Sequence, residues 1–451
     1  MPRVVAVIFA AVVSLSADSR DRLQGASVAE SSPEIEALLT AARGAPPLIC
    51  AIAARSLNDS WWSGADAPAT PLGDARREYG NGLARGPLSG GDLALVLEAL
   101  DADDACVQEL GVRLAARRGG AQAEEAFMAR LSSGAAGQRA IAAMGLGLMD
   151  TEAAVAPLLG TLRDAEPTVR ANAAWALGRI EHGSALQPLT RAMSDASATV
   201  RAAAVVAVGQ LDSVSSVPAL SRILRTDAEA SVRRLAAWAL GELGSRDGIS
   251  ALAGALRDDR EPRVREMSAW ALGEIGGRSA DGSLHDALRR DADETVRETA
   301  AWALGEIGDR GSTDVLAAAA ADDRSSRVRG TAAWAIGNVA ERSGSAPGAL
   351  LRVLQDESAD TRLKAAWALG EVRDPSAAGQ IETALNREPD AHVRRALIRA
   401  LLLAGGGSRE SVSALLSSRD PTVREAAIRG LVGREAFGPW PWPWPRPRPF
   451  P

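Results

Sequence analysis

What most limits how this chain can fold is a repeated block of sequence. Val296–Gly308 reads VRETAAWALGEIG, with close copies in VREMSAWALGEIG from Val264, VRRLAAWALGELG from Val232, VRANAAWALGRIE from Val169 and VRGTAAWAIGNVA from Val328. The anchor valines Val200, Val232, Val264, Val296 and Val328 are 32 residues apart; Val169 lies 31 before Val200, and the anchor moves to Thr361 after 33. A fixed period of this length marks stacked helical units, each burying its apolar face against its neighbours. The block is the second helix of each unit. Its copies start at Gln138, Val169, Val200, Val232, Val264, Val296, Val328, Thr361, Val393 and Val423, each after a shorter first helix such as 185–193 or 248–256. The predicted fold is all-α, an alpha-alpha superhelix.

Composition agrees with this fold. A chain of 451 residues outgrows one compact core, but an array whose units touch only their neighbours can simply be long. Apolar residues make up 46% and aromatics only 4%. The abundant alanine permits close helix stacking without a thick core. A formal net charge of -6 argues against a nucleic-acid groove, so no nucleic-acid partner is expected. Cys50 and Cys106 sit in apolar, helix-like settings with no zinc-ligand spacing, and are read as two buried thiols; a disulfide is the alternative.

Counting the anchor as zero, positions zero, plus four, plus eight and plus eleven share one face at about 100° per residue. In the central copy these are Val296, Ala300, Leu304 and Ile307, the expected core stripe. Plus nine is glycine in Gly178, Gly209, Gly241, Gly273, Gly305, Gly337 and Gly370. Glycine weakens a helix, so its recurrence at one phase points to close approach by another backbone. The later Gly244, Gly276 and Gly308 read as helix ends. An acid recurs at minus five (Asp164, Asp195, Asp227, Asp259, Asp291, Asp323, Asp356) and an arginine at plus one (Arg170, Arg201, Arg233, Arg265, Arg297, Arg329, Arg362). The acid suits a helix start, and the arginine can bridge to the neighbouring unit's acid. Both rows read as structural.

The candidate site is the tryptophan row at plus six: Trp175, Trp238, Trp270, Trp302, Trp334 and Trp367, with Val206 the exception. Beside it at plus ten run Glu242, Glu274, Glu306 and Glu371. Two readings stay open. Each indole covers alanines of the next repeat, or the row is an aromatic and acidic strip for a partner. Such a strip suits a basic or arginine-bearing peptide better than DNA.

The ends differ from the array. Residues 1–17 (MPRVVAVIFAAVVSLSA) read as a secretory signal, with an apolar run too short for an ordinary spanning helix. A periplasmic or secreted protein is expected, with no transmembrane segment in the mature chain and a cytoplasmic one as the alternative. Residues 18–134 hold irregular helix pairs, with an inserted loop at 58–91 carrying Trp61, Trp62 and Tyr79, read as a lid over the apolar end of the array. The regular array spans 135–433. The final units replace plus-six tryptophan with Arg399 and Arg429, as a polar cap would. The tail at 434–451 includes FGPWPWPWPRPRPFP, which excludes a regular helix and reads as a low-complexity, disordered end.

No catalytic motif is visible. His182, His285 and His392 fall in or near different units, without a second histidine at ligand spacing. No enzyme activity, metal or cofactor is expected.

The blocks DAEPTVRANAAWALGRI (164–180), DDREPRVREMSAWALGEIG (258–276) and DADETVRETAAWALGEIG (291–308) resemble HEAT repeats, in the short bacterial type also found in phycobilisome bilin lyases. The resemblance covers 135–433 strongly and 33–134 weakly. It implies a right-handed superhelix with the second helices lining a concave face, and hence an inward tryptophan row. It also resembles deoxyhypusine hydroxylase, which binds iron through His-Glu pairs, but this chain has no His-Glu dipeptide. The expected function is a non-enzymatic protein-protein interaction scaffold. A bilin-lyase-like chromophore-processing or assembly protein is the alternative.

Overall fold

The computed structural model describes residues 32–46, 50 and 87–432, apart from 342, 344, 406–408 and 420. The signal segment 1–17, nearly all of the 58–91 insertion and the tail at 434–451 lie outside the described residues. Two compact units, Met1–Leu211 and Asp212–Pro451, divide the chain.

The first unit contains α1 (Pro33–Ala42), α2 (Gly90–Ala99), α3 (Ala105–Arg118), α4 (Gly120–Leu131), α5 (Ala136–Met149), α6 (Val155–Thr161), α7 (Pro167–Ile180), α8 (Leu186–Ala192) and α9 (Ala198–Gln210). The second contains α10 (Val217–Thr226), α11 (Ala230–Glu242), α12 (Ile249–Asp258), α13 (Pro262–Ile275), α14 (Asp281–Arg290), α15 (Glu294–Ile307), α16 (Thr313–Asp322), α17 (Ser326–Val339), α18 (Gly348–Val353), α19 (Ala359–Val372), α20 (Ala378–Arg387), α21 (Ala391–Leu403), α22 (Arg409–Leu416) and α23 (Pro421–Val432). Among the described residues every regular element is helical. The chain is an alpha-alpha solenoid of helix pairs. Second helices stack as α5, α7, α9 in the first unit and as α11, α13, α15, α17, α19, α21, α23 in the second, each backed by its own first helix.

Plus twelve stops the second helix. Gly244, Gly276 and Gly308 adopt positive φ there, and so do Asp150, Glu181, Asp212 and Arg373 at φ between 46° and 59°. The left-handed residue breaks the helix and turns the chain toward the next first helix. Ala340 departs, with φ -105°. The next first helix, α18, has only 6 residues against 10 in α16 and α20.

The expected stripe holds for Val296, Ala300 and Leu304, which are fully buried. The middle helices bury much more than a stripe, however. In α15 Arg297, Glu298, Thr299, Ala301, Trp302 and Ala303 are buried as well. Neighbours lie on both sides of α15, with α14 at its back. A one-face periodicity argument assumes a single partner and so underestimates burial in a stack.

At the amino-terminal end the reading of Cys50 and Cys106 as buried thiols is corrected: they form a disulfide, Cα–Cα 5.6 Å. A separation of 56 residues hides this neighbourhood from the sequence. Asp104 caps α3, accepting hydrogen bonds from the backbone N–H groups of Cys106 (2.9 Å) and Val107 (3.1 Å) on one oxygen and of Gly44 (2.7 Å) on the other. Ser32 donates from both N–H and hydroxyl to Asp92. These bonds tie α1 to the α2–α3 pair.

Candidate functional site

The tryptophan row and the glycine row are two halves of one joint. A Cβ built on Gly273 would lie 2.9 Å from Trp302 Cζ3 and 3.0 Å from Ala303 Cα of the next helix. Gly241 faces Trp270 and Ala271 in the same way, Gly305 faces Trp334 and Ala335, and Gly337 faces Trp367 and Ala368. Each indole edge therefore rests on the bare backbone of the preceding second helix, which explains why tryptophan, alanine and glycine recur together. In the first unit Gly147 meets Trp175 and Ala176, whereas Gly178 faces Ala207 and the side-chain oxygen of Gln210, since Val206 holds the tryptophan position.

Burial divides the row. Trp270, Trp302 and Trp334 are 7%, 8% and 1% exposed, while Trp175, Trp238 and Trp367 are half-buried. Trp334 and Trp367 stack with centroids 6.4 Å apart. The Arg179 guanidinium lies 5.4 Å over the Trp175 ring, a cation–π arrangement supplied by the chain itself. The middle tryptophans thus serve inter-repeat packing, leaving the glutamates as the more accessible part of the strip.

Glu242, Glu274 and Glu306 are exposed on consecutive second helices. Although exposed, Glu306 is surrounded by enough protein to push its carboxyl above the ordinary value, and the Glu274 charge adds to the rise. Among the described residues neither Glu274 nor Glu306 has an ion-pair or hydrogen-bond partner. At plus two, Glu266 and Glu298 are buried. Burial raises the Glu266 carboxyl despite Arg263, whose guanidinium is 3.4 Å away. Glu298 pairs with Arg327 at 2.5 Å and accepts from Thr331 at 3.3 Å.

Glu371 behaves differently. It is buried and accepts from Arg399 at 2.7 Å. Arg399 occupies the plus-six position of α21, and its Nη1 lies 2.8 Å from a Cβ built on Gly370. An arginine therefore takes the tryptophan's seat and neutralises the plus-ten glutamate of the preceding helix.

A second ladder runs along the turns. Arg233 Nε and Nη2 donate to Asp259 at 2.7 and 2.9 Å, while its Nη1 donates to the carbonyls of Asp227 and Ala228 at 2.9 and 3.1 Å. Asp259 also accepts from the Glu261 N–H at 3.0 Å. The same unit recurs as Arg139–Asp164, Arg170–Asp195, Arg265–Asp291, Arg297–Asp323, Arg329–Asp356 and Arg362–Glu388. Two-pronged arginine–carboxylate pairing fixes distance and angle together, so each rung sets one repeat against the next. The Arg139 and Arg170 guanidinium groups hold Asp164 and Asp195 below the usual carboxylate range. Burial pushes Asp259, Asp356 and Glu388 up, but their arginine partners and backbone N–H donors outweigh it, and all three are lowered. The row extends beyond the recurring aspartates of the sequence pattern: Arg139 follows a glutamine anchor, and Glu388 stands in for aspartate.

The HEAT-repeat family profile matches residues 158–233, 217–298, 283–350, 313–402 and 346–432, which is more than half of the chain. This is a HEAT-repeat protein.

No curated protein sequence matches the HEAT-repeat chain. Among solved structures, importin beta is 14% identical, covering 95% of this chain and 64% of that one with a TM-score of 0.59. The Escherichia coli protein YibA is 21% identical over 55% of this chain and 91% of its own, TM-score 0.45. Human deoxyhypusine hydroxylase is 23% identical over 55% of this chain and 96% of its own, TM-score 0.26. The importin beta likeness shows the fold alone. HEAT-repeat solenoids are a known scaffold fold, and no catalytic motif is visible in the sequence. Among the described residues no group of three or more His, Cys, Asp or Glu side chains could hold a metal, and no helix is long and apolar enough to cross a membrane.

Proposed function

We propose that this HEAT-repeat protein is a non-catalytic scaffold whose second-helix face, expected from the family to be concave, binds an arginine-bearing segment of a protein partner. The observation that carries this reading is the contrast between Glu371, matched by Arg399, and Glu274 and Glu306, which stand in the same phase without a cation. Arg399 shows which side chain such a glutamate accepts, and Arg179 over Trp175 shows a guanidinium lying on the row's aromatic surface. Glu242, Glu274 and Glu306 supply the charge, and half-buried Trp238 supplies apolar contact at one end.

The test uses a fluorescein-labelled arginine-glycine peptide and its citrulline counterpart, titrated against the full chain by anisotropy. Saturable binding is expected, at least about tenfold weaker for citrulline, a difference of about 1.4 kcal/mol. It should be lost in Glu274→Gln/Glu306→Gln. Equal binding of the two peptides, or indifference to the double change, refutes the reading. Visible absorbance after incubation with a tetrapyrrole would favour the bilin-lyase-like alternative instead.

We also propose export. The apolar segment at 4–13 motivates it, and the Cys50–Cys106 disulfide suits an oxidising compartment. Mass spectrometry of the native protein should find an amino terminus near Asp18 and no free thiol; an intact Met1 with two free thiols would contradict it.

A further inference from the structure

The first helices carry a different kind of surface. Between α18 and α20 lies a groove of about 610 Å³. Leu351, Leu354, Ala384 and Pro389 give it apolar walls, and Arg352 and Arg387 stand at its rim. Two carboxylates also line it, but both are already matched: Asp356 accepts from Arg329 at 2.6 and 3.1 Å, and Glu388 from Arg362 at 2.8 and 2.8 Å. Arg352 and Arg387 are exposed, and among the described residues neither guanidinium has a partner. The groove thus presents two uncompensated cations beside an apolar wall.

Its equivalent two repeats earlier is not like this. The groove between α14 and α16, about 550 Å³, is also lined by arginines and apolar residues. There Arg324 donates to the Ala292 carbonyl at 2.5 Å, Arg290 lies 3.7 Å from Asp286, and the Asp322 carboxylate joins the lining beside Arg289, the one exposed guanidinium of the three without a partner among the described residues. The backbone leading into the α18–α20 groove differs as well. Ala340 does not make the left-handed stop, the Ala346 N–H donates to Asp374 (2.9 Å), and α18 is short. The sequence records the same irregularity as the single 33-residue spacing.

We infer that the α18–α20 groove binds an acidic peptide segment of a protein partner, one carrying an apolar side chain between carboxylates. The apolar side chain packs on Leu351 and Leu354, and the flanking carboxylates meet Arg352 and Arg387 in charge-assisted, two-pronged hydrogen bonds. A single inorganic anion would satisfy the arginines and leave the apolar walls uncovered. This surface is opposite in charge to the glutamate strip and lies on the other helix of the repeat, so the scaffold can engage basic and acidic segments at separate places.

The probe is a fluorescein-labelled Gly-Glu-Leu-Glu-Gly peptide, titrated against the full chain by anisotropy at low salt, with Gly-Gln-Leu-Gln-Gly as its neutral counterpart. The acidic peptide should bind saturably and the neutral one at least about tenfold more weakly. Arg352→Glu/Arg387→Glu should reduce binding by at least about tenfold without changing the melting curve, because both side chains are exposed and unpartnered. Glu274→Gln/Glu306→Gln should leave it unchanged, which separates this site from the arginine-binding strip. Absence of saturable binding, indifference to the arginine reversals, or complete displacement by millimolar inorganic phosphate would overturn the assignment.

Discussion

Two joints in the second unit make the same connection with different chemistry. Between α13 and α15, Trp302 rests on Gly273 and Glu274 is left to solvent. Between α19 and α21, Arg399 stands over Gly370 and pairs with Glu371. The first joint excludes water with a rigid apolar plate and leaves a negative charge unmatched. The second covers less apolar surface and spends its cation internally. The proposed binding of a basic partner needs carboxylates free of the chain's own arginines, which the first joint leaves and the second does not.

The largest expected effect separates the two covers. Trp302→Ala removes a plate that is 8% exposed and should cost about 3–5 kcal/mol. Arg399→Ala leaves buried Glu371 without this partner and should cost about 1–3 kcal/mol. Urea unfolding followed by circular dichroism reads both. Because long repeat arrays lose two-state behaviour, the comparison rests on transition midpoints. A larger loss for Arg399→Ala would reverse the assignment of which joint relies on packing.

The glycines sharpen the same contrast at a smaller scale. A Cβ at Gly273 meets the Ala303 Cα at 3.0 Å as well as the indole, and backbone cannot step aside. Gly273→Ala should therefore destabilise by about 1–3 kcal/mol. At Gly370 the nearest atom is the end of the flexible Arg399 side chain, and the Ala400 Cα is 3.4 Å away. Gly370→Ala gains about 0.8–1.0 kcal/mol of helix propensity against the shift of one guanidinium, so its midpoint should stay nearly constant. Equal losses at the two positions would mean that the recurring glycine answers to something other than close approach.

This also shows what the sequence could and could not disclose. The fixed period declares stacked helix pairs, and the recurrent Gly241, Gly273 and Gly305 declare close approach. The arginine at plus one and the acid at minus five could be paired across repeats on charge alone. Which face of Trp302 is covered could not be read, since that depends on how far the next helix advances over it. A helical wheel places plus six away from the core stripe. The stack then covers that face from the side, a geometry set by Gly273 and Ala303 rather than by Trp302 itself. The Cys50–Cys106 bond was hidden for a related reason: its partners belong to helices brought together by folding, not by spacing. The free charges of Arg352 and Arg387 could be known only after Asp356 and Glu388 were seen to be engaged elsewhere.

The smallest effect concerns pH, and here the two ladders oppose each other. Asp164, Asp195, Asp259, Asp356 and Glu388 have lowered carboxyl pKa values in the folded chain. Their stabilisation is complete above the unfolded values, near 3.9 for Asp and 4.3 for Glu, and is lost as pH falls through the lower folded ones. Glu306 is raised, first by burial and then by Glu274, so its ionised form opposes folding. Lowering the pH through its folded value removes that opposition while the arginine rungs are still ionised. The melting temperature should therefore rise slightly as the pH falls through the folded Glu306 value, then fall at lower pH as the rung carboxylates take up protons. Glu306→Gln should shrink the rise and leave the acid limb in place, whereas Asp259→Asn should lower the neutral plateau and flatten the acid limb. If Asp259→Asn left the acid limb untouched, the turn rungs would be spectators, and registration of the repeats would rest on the tryptophan–glycine joints alone.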